Sequence, residues 1–297
     1  MPRPTPIARR RPTLIATLAL AALILPVPVA AGTVTAPGQE CWVYNERTFA
    51  ITADLAPAIA AAAPDDRLVV RGICTGNFTI AKDLRLLGIG TVALSRGVLS
   101  GGGSGTVLTI EAGSRVRLRN LRIEEGDGGA AGGGIVNRGT AFLRDVLVRR
   151  STADAGGGIL NEGTLALRGV SEVRRNTARV TGGGVENAPG ATFVMRNDSK
   201  VNRNRAPRAG GIHNDAGTVR LRERALMRGN YATVDHGGGI FNEPGGSLIL
   251  RNRSRITENR AEEAGGGIAG KVSNRLCDPD HVFANRPDDC YRVDTAG

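Results

Sequence analysis

The chain has 297 residues, of which 42 are glycine, 14 are proline and 3% are aromatic. Glycine and proline together stay below the roughly 25–30% that is typical of aperiodic disordered chains, and no Gly-X-Y period runs through the sequence, so disorder and collagen are excluded. The net charge is +11, but so few aromatic rings argue against base stacking, and we expect no nucleic-acid partner.

Residues 1–31 have the pattern of a signal peptide. Arg3 and the run 9–11 form a basic region, the segment 14–25 is apolar, and small residues at 29–31 fit a cleavage site. The apolar segment is shorter than the about 20 residues that a membrane-spanning helix needs. A buried N-terminal helix is the alternative. We predict bacterial export to the cell envelope or the medium, with no membrane span after the signal peptide is removed.

Residues 32–66 form the predicted N-terminal segment. Within it, 54–63 reads as a short amphipathic helix, because Leu55, Ile59 and Ala62 fall on one face. A β-solenoid needs its exposed strand edges covered. We therefore expect this helix to cap the first coil.

Four cysteines lie in two pairs, one near each end of the mature chain. Four cysteines allow three pairings, and a repeat array between the pairs would hold them far apart, which favours Cys41–Cys74 and Cys277–Cys290. A metal site is the rival interpretation, but no C-x-x-C spacing supports it. We expect two disulfides and no bound metal or cofactor.

A glycine run followed by Ile/Val-x-Asn recurs at steps of 24, 26, 27, 28 and 28 residues. Such drift with a retained internal pattern is typical of a solenoid that tolerates loop insertions. The aliphatic positions are Ile135, Ile159, Val185, Ile212, Ile240 and Ile268. The asparagine positions are Asn137, Asn161, Asn187, Asn214 and Asn242.

Two further phrases complete each repeat. The segment 164–168 (TLALR) alternates apolar and polar residues with the period of a strand, and 173–176 (VRRN) places an apolar residue before Asn. About three short strands per repeat cannot bury an apolar face alone, but stacked coils bury it together. We predict an all-β fold, a parallel β-helix over 67–276, with an asparagine ladder and a disulfide-held C-terminal cap and tail over 277–297.

The GGG-I and V/I-x-x-N phrases resemble the repeats of the polymorphic outer-membrane-protein family. The segments 68–88 and 100–108 are similar to the opening coils of pectin-lyase-like folds. The resemblance covers roughly residues 45–270. It implies a right-handed β-helix, and its enzymes imply a site of clustered carboxylates with Arg or Lys on one face of adjacent coils.

The nearest match to such a site lies beside the asparagine ladder. Strand alternation predicts that Glu186 and His213 face outward, with Asp215 and Glu243 in the next column. A histidine between carboxylates can act as a general base or bind a metal. The alternative is a solvated polar strand face, so we assign no catalytic residue and keep these four as candidates.

A second column is basic. One arginine follows the last apolar residue of each TLALR-type phrase, so the arginines stack on successive coils. The column consists of Arg119, Arg144, Arg168, Arg196, Arg222 and Arg251. Arginine suits carboxylate and phosphate ligands geometrically, and we predict a polyanion-binding track, with an exposed, salt-screened arginine row as the alternative.

Three classes of function remain. The first is a monomeric, non-enzymatic binding or adhesion-type module at the cell surface, with an acidic glycan or cell-wall polymer as its partner. The second is a polysaccharide lyase or hydrolase, favoured by fold analogy alone. The third is a passive structural module.

Overall fold

The computed structural model describes residues 39–90, 95–273 and 275–293, which form a parallel β-helix of about eight coils. The predicted fold class is confirmed. The predicted signal peptide lies outside the described residues. Among the residues described, no helix combines the length and the apolar character that crossing a membrane would need.

Three sheets run along the solenoid, and each coil adds one strand to each of them. The ten described strands of sheet A are Trp42–Asn45, Ile51–Thr52, Arg67–Arg71, Leu84–Ile89, Arg115–Arg119, Thr140–Arg144, Thr164–Arg168, Thr192–Met195, Thr218–Leu221 and Ser247–Leu250. The nine described strands of sheet B are Ile73–Thr75, Gly97–Ser100, Leu121–Glu124, Leu147–Arg149, Glu172–Arg174, Lys200–Asn202, Leu226–Arg228, Arg255–Thr257 and Val282–Phe283. The nine described strands of sheet C are Phe78–Ile80, Leu108–Ile110, Ile135–Asn137, Ile159–Asn161, Val185–Asn187, Ile212–Asn214, Ile240–Asn242, Ile268–Gly270 and Cys290–Arg292.

A fourth sheet, sheet D, was not predicted. It lies in the chain between sheets B and C, and the alanine that follows the V/I-x-x-N phrase packs inward from it, as Ala178 does at 2% exposure. Its five described strands are Thr152–Ala155, Thr177–Thr181, Arg205–Ala206, Tyr231–Ala232 and Arg260–Ala261.

The asparagine ladder follows sheet C. From Asn137 to Asn242, each side-chain Nδ2 donates to the Oδ1 of the asparagine one coil on, over 2.8, 2.8, 2.7 and 2.6 Å. These side chains are buried, and a buried amide is costly unless it is hydrogen-bonded. The predicted ladder provides these hydrogen bonds. Beside it, the predicted aliphatic column is wholly buried from Ile135 to Ile268.

A second asparagine ladder joins the coils at the end of sheet B. Each Nδ2 donates to the Oδ1 one coil on, over 3.1, 3.0, 2.8 and 3.0 Å, and the backbone N–H of the same residue donates to that oxygen too. The sequence marks Asn176 and Asn259 as parts of a recurring phrase, but not as ladder members. The residues of this ladder are Asn176, Asn204, Asn230, Asn259 and Asn285.

The glycine run gives the chain a tight turn between sheets D and C. Gly156 has a φ of +64°, a conformation that costs other residues energy. At Gly157, a Cβ would lie 2.2 Å from the carbonyl oxygen of Thr177 on the next coil. The second glycine is therefore required by close approach between coils.

Both ends carry the predicted closures. The helix Leu55–Ala61 begins after the N-cap Asp54 and buries Leu55, Ala58 and Ile59 against the first strands. The disulfides are Cys41–Cys74 and Cys277–Cys290, as predicted. The antiparallel strand Trp42–Asn45 extends sheet A beyond the first coil, and the strands at 282–283 and 290–292 continue sheets B and C.

Candidate functional site

The predicted arginine column lies on the outer face of sheet A. Strand alternation turns Val116 and Leu118 into the core, while the residues between them face outward. Arg119 aligns with Arg144 and then Arg168. The same stacking continues through backbone hydrogen bonds of 3.0 Å from the N–H groups of Arg196, Arg222 and Arg251 to residues of the preceding coil.

A groove of about 730 Å³ lies beside this column. Four arginines of the column line it, whereas Arg222 and Arg251 do not. Arg115 and Arg117 also line the groove and are not part of the predicted column, although their alternation with apolar residues in Arg115–Arg119 marks them as outward-facing. The lining residues are Arg115, Arg117, Leu118, Arg119, Phe142, Arg144, Arg168, Gly169, Arg196, Asn197 and Glu223.

The basic surface extends toward the first coil. A second groove of about 240 Å³ shares Arg117 and Arg119 with the larger one and is also lined by Arg67 and Arg85. Arg67 and Arg196 stand five coils apart, which is about 24 Å at the usual strand spacing. The two grooves therefore form one elongated basic surface, called the basic groove from here on.

The arginines of the column are poorly neutralised. Arg144 Nε lies 3.6 Å from Asp145 Oδ2, and the other five form no ion pair with any described residue. Like charges at coil spacing repel each other unless anions or carboxylates compensate them. The column thus has a charge excess that an anionic ligand would relieve.

Several arginines elsewhere on the solenoid have carboxylate partners. Arg179 pairs with Asp127 at 2.8 Å, and Arg228 pairs with Glu258 at 2.6 Å. The pKa of Asp127 is lowered, chiefly by its hydrogen bond with Arg179. The column therefore differs from these paired arginines, and from Arg67 and Arg85 at the other end of the basic groove, which pair with Glu46 at 3.2 Å and Asp65 at 3.3 Å.

Three of the four candidate residues beside the asparagine ladder lie close together. His213 Nδ1 lies 2.6 Å from Glu186 Oε1, and His213 Nε2 lies 3.2 Å from Glu243 Oε1. Asp215 is not part of this group, and its side chain makes no hydrogen bond or ion pair within the described ranges. The three residues are called the His213 triad below.

This column lies on the outer side of sheet C, as strand alternation predicts, but the alternative of a solvated strand face is wrong for it. Glu186 is 8% exposed, His213 7% and Phe241 6%. The segment that leads from sheet D into each glycine turn lies over the outer face of sheet C, so that Thr181 Oγ1 donates to Glu186 Oε2 at 2.8 Å. The guanidinium of Arg208 similarly lies 5.2 Å from the centre of the Phe241 ring.

Protonation of His213 depends on opposing effects. Burial is the largest single influence and disfavours the charged imidazole, but hydrogen bonds and charges of Glu186 and then Glu243 together outweigh it. The net result is a pKa for His213 above its ordinary value of 6.5. An imidazolium held between two carboxylates gains charge-assisted hydrogen bonds on both nitrogens, which is an arrangement suited to holding a proton.

A separate group of side chains brings potential metal-ligating atoms together. Among the described residues, one group of three brings such atoms within 4.8 Å of one another, namely Asp235, His236 and Glu263. Asp235 and His236 are neighbours in the sequence. Glu263 comes from the next coil, so sequence spacing gives no signal for the group.

Comparison of the chain with protein-family models, curated proteins and solved structures finds no match.

Proposed function

We propose that this protein is an exported, non-enzymatic binding module that holds a linear acidic polymer along the basic groove. An acidic polysaccharide of the cell envelope or its surroundings is the ligand class. The observation that carries the proposal is the stacked row of six arginines beside a groove, of which five form no ion pair with any described residue. Guanidinium groups bind carboxylates through paired, directional hydrogen bonds.

The length of the basic groove favours a polymer over a small anion. Its arginines repeat once per coil, at about 4.8 Å, so several anionic groups of an extended chain can be bound at once. Each exposed contact is worth little by itself. Binding several in parallel gives useful affinity through effective concentration.

The proposed location outside the cytoplasm has two supports. Disulfides persist in oxidising compartments, and all four described cysteines form them. The predicted signal peptide is the other support. We further propose that the chain belongs to the right-handed β-helices of the polymorphic outer-membrane-protein or pectin-lyase-like type, on the strength of the repeat phrases and of the parallel β-helix that they form.

Binding is favoured over cleavage of the polymer. A lyase or hydrolase would need a general acid or base at the ligand. Among the described residues that line the larger groove, Glu223 is the one carboxylate, and its side chain accepts hydrogen bonds from Asn197. In the His213 triad, Glu186 and His213 are buried on sheet C, and Glu243 directly follows the strand Ile240–Asn242 of the same sheet.

A matched pair of triple variants tests the proposal. The first replaces Arg119, Arg168 and Arg196 in the groove with Gln. The second replaces the exposed, ion-paired or ring-stacked Arg179, Arg228 and Arg260 with Gln, which changes the net charge equally. Binding to an oligouronate series is measured by calorimetry, and released reducing ends are assayed in parallel.

The groove variant should lose about tenfold in affinity, since three contacts of roughly 0.5 kcal/mol each are removed. The control variant should stay within about threefold of the unmodified protein. Equal losses would show that net charge alone is responsible. Release of reducing ends by the purified protein would show that it cleaves the polymer as a lyase or hydrolase.

A further inference from the structure

A cluster of ligating atoms joins two coils near the C-terminal end of the solenoid. Asp235 and His236 directly precede the glycine turn that starts at Gly237, and Glu263 stands two residues before the equivalent Gly265 one coil on. Asp235 and Glu263 are therefore equivalent residues of adjacent coils. Two carboxylates stacked in this way repel each other unless a cation compensates them.

His236 lies between these two carboxylates. Its Nδ1 is 2.7 Å from Asp235 Oδ1 and 2.9 Å from Glu263 Oε2. The nitrogen atom is fully buried, yet neither contact has the geometry of a hydrogen bond. One ring nitrogen carries at most one proton, so it can satisfy at most one of the two carboxylates.

We propose that Asp235, His236 and Glu263 bind a divalent first-row transition cation, with Zn²⁺ as the representative ion. Imidazole nitrogen and carboxylate oxygen are ordinary zinc ligands at about 2.0–2.2 Å. Calcium and magnesium prefer oxygen ligands alone, so the histidine selects against them. The ion occupies the position between the buried nitrogen and the two facing oxygens.

The ligand atoms need little movement to reach this geometry. Tetrahedral coordination at these bond lengths separates neighbouring ligand atoms by about 3.4 Å. The two distances from Nδ1 are therefore short by roughly half an ångström. The Glu263 side chain is 59% exposed and can move outward to make room for the ion.

The surroundings hold two of the ligands in place. Arg208 donates a hydrogen bond to Asp235 Oδ2, and the His236 backbone N–H donates to Asp235 Oδ1 over 2.8 Å, which holds Oδ1 beside the histidine. The Tyr291 ring lies edge-on to the His236 ring with centroids 4.9 Å apart, and the Phe241 ring lies at 6.5 Å. Such outer contacts orient metal ligands and strengthen their binding.

Zinc binding by this cluster would tie the seventh coil to the eighth. Because the folded chain binds the ion and the unfolded chain does not hold these ligands together, binding raises the melting temperature. This proposal is independent of the basic groove, which lies on sheet A and shares no residue with the cluster.

The test uses the full mature chain freed of metal with a chelator. Titration with Zn²⁺ by calorimetry, and with Co²⁺ by visible absorption, should show one saturable site per chain and a higher melting temperature. Glu263→Gln alters a largely exposed side chain and should fold normally, but its zinc affinity should fall about 10- to 100-fold. His236→Ala should abolish the site.

The control is His281→Ala. His281 lies outside the cluster, with its Nδ1 2.8 Å from the Ser254 carbonyl oxygen, and its loss should leave zinc affinity unchanged. Absence of saturable binding to the unmodified chain would overturn the proposal. Retention of full affinity in both Glu263→Gln and His236→Ala, or equal binding of Ca²⁺, would also overturn it.

Discussion

The guanidinium of Arg168 lies over the ring of Phe142, with its central carbon 4.7 Å from the ring centre. Phe142 stands on the preceding coil, and both residues line the basic groove. A cation above an aromatic face is attracted electrostatically and loses side-chain freedom before a ligand arrives. Phe142 thus orders one arginine of the column in advance of binding, which reduces the entropy cost of the contact.

Binding to the basic groove should depend on salt and on ligand length. Raising the salt concentration from 50 to 200 mM should weaken oligouronate binding steeply, because screening and counterion release scale with the number of charges engaged. Affinity should increase with ligand length until the ligand spans the groove, and then level off. Calorimetry across a length series at two salt concentrations measures both. An affinity independent of length would argue against binding along the groove.

The asparagine ladder should be sensitive to a single truncation. Asn187→Ala removes the acceptor for Asn161 and the donor to Asn214, so the free energy of unfolding should fall by about 2–3 kcal/mol. Asn202→Ala is the control, since the Asn202 amide bonds the half-buried Glu172 and its cost should stay below about 1 kcal/mol. Urea denaturation monitored by circular dichroism compares the two variants. Similar losses would contradict the importance of the ladder.

The close approach between coils predicts a large effect at Gly157. A Cβ there would lie 2.2 Å from the Thr177 carbonyl oxygen, so Gly157→Ala should separate two coils and cost about 3 kcal/mol or more. At Gly190, φ is +74° but a Cβ meets nothing within 4 Å. Gly190→Ala should therefore cost only about 1 kcal/mol, from backbone strain alone. Equal melting temperatures for the two variants would contradict the steric argument.

The disulfides should contribute unequally. Their cysteines are separated by 33 and 13 residues, and in the chain-entropy model these loops correspond to about 4 and about 3 kcal/mol. Replacing Cys41 and Cys74 with Ser should therefore lower the free energy of unfolding by the larger amount. Non-reducing peptide mapping checks the pairing. Denaturation of this double variant and of a second one that replaces Cys277 and Cys290 with Ser shows which disulfide contributes more to the free energy of unfolding. A larger loss from replacing Cys277 and Cys290 would show that effects on the folded state outweigh the chain entropy of the unfolded state.

The His213 triad should make stability dependent on pH. Because the folded-state pKa of His213 is raised above 6.5, its stabilisation is fully present below about pH 6.5 and is lost as the pH rises through the folded value. The groups that face it are Glu186, Glu243 and the Phe241 ring, with Arg208 3.7 Å from Glu243.

The free energy of unfolding of the unmodified protein, minus that of His213→Gln, should therefore decrease as the pH rises above about 6.5. A difference that increases with pH would mean that His213 is held neutral in the folded protein.

The sequence predicted the coil architecture because the pattern is local and repeated. In a parallel β-helix each strand pairs with its equivalent one repeat away, so the period of 24–28 residues places like residues together. Ile135 and Ile159, Asn137 and Asn161, and Arg144 and Arg168 are therefore adjacent by register alone. The cysteine pairing followed in the same way, since the length of the array separates the two ends.

The site depended on contacts that repeat spacing does not encode. Strand alternation correctly placed Glu186 and His213 on the outer side of sheet C, but only packing showed that the segment leading from sheet D lies over them and buries them. The proximity of Asp235, His236 and Glu263 depends on how the turns of two coils meet. Periodicity fixes which residues stack, whereas burial and cavities depend on where the irregular segments between strands pack.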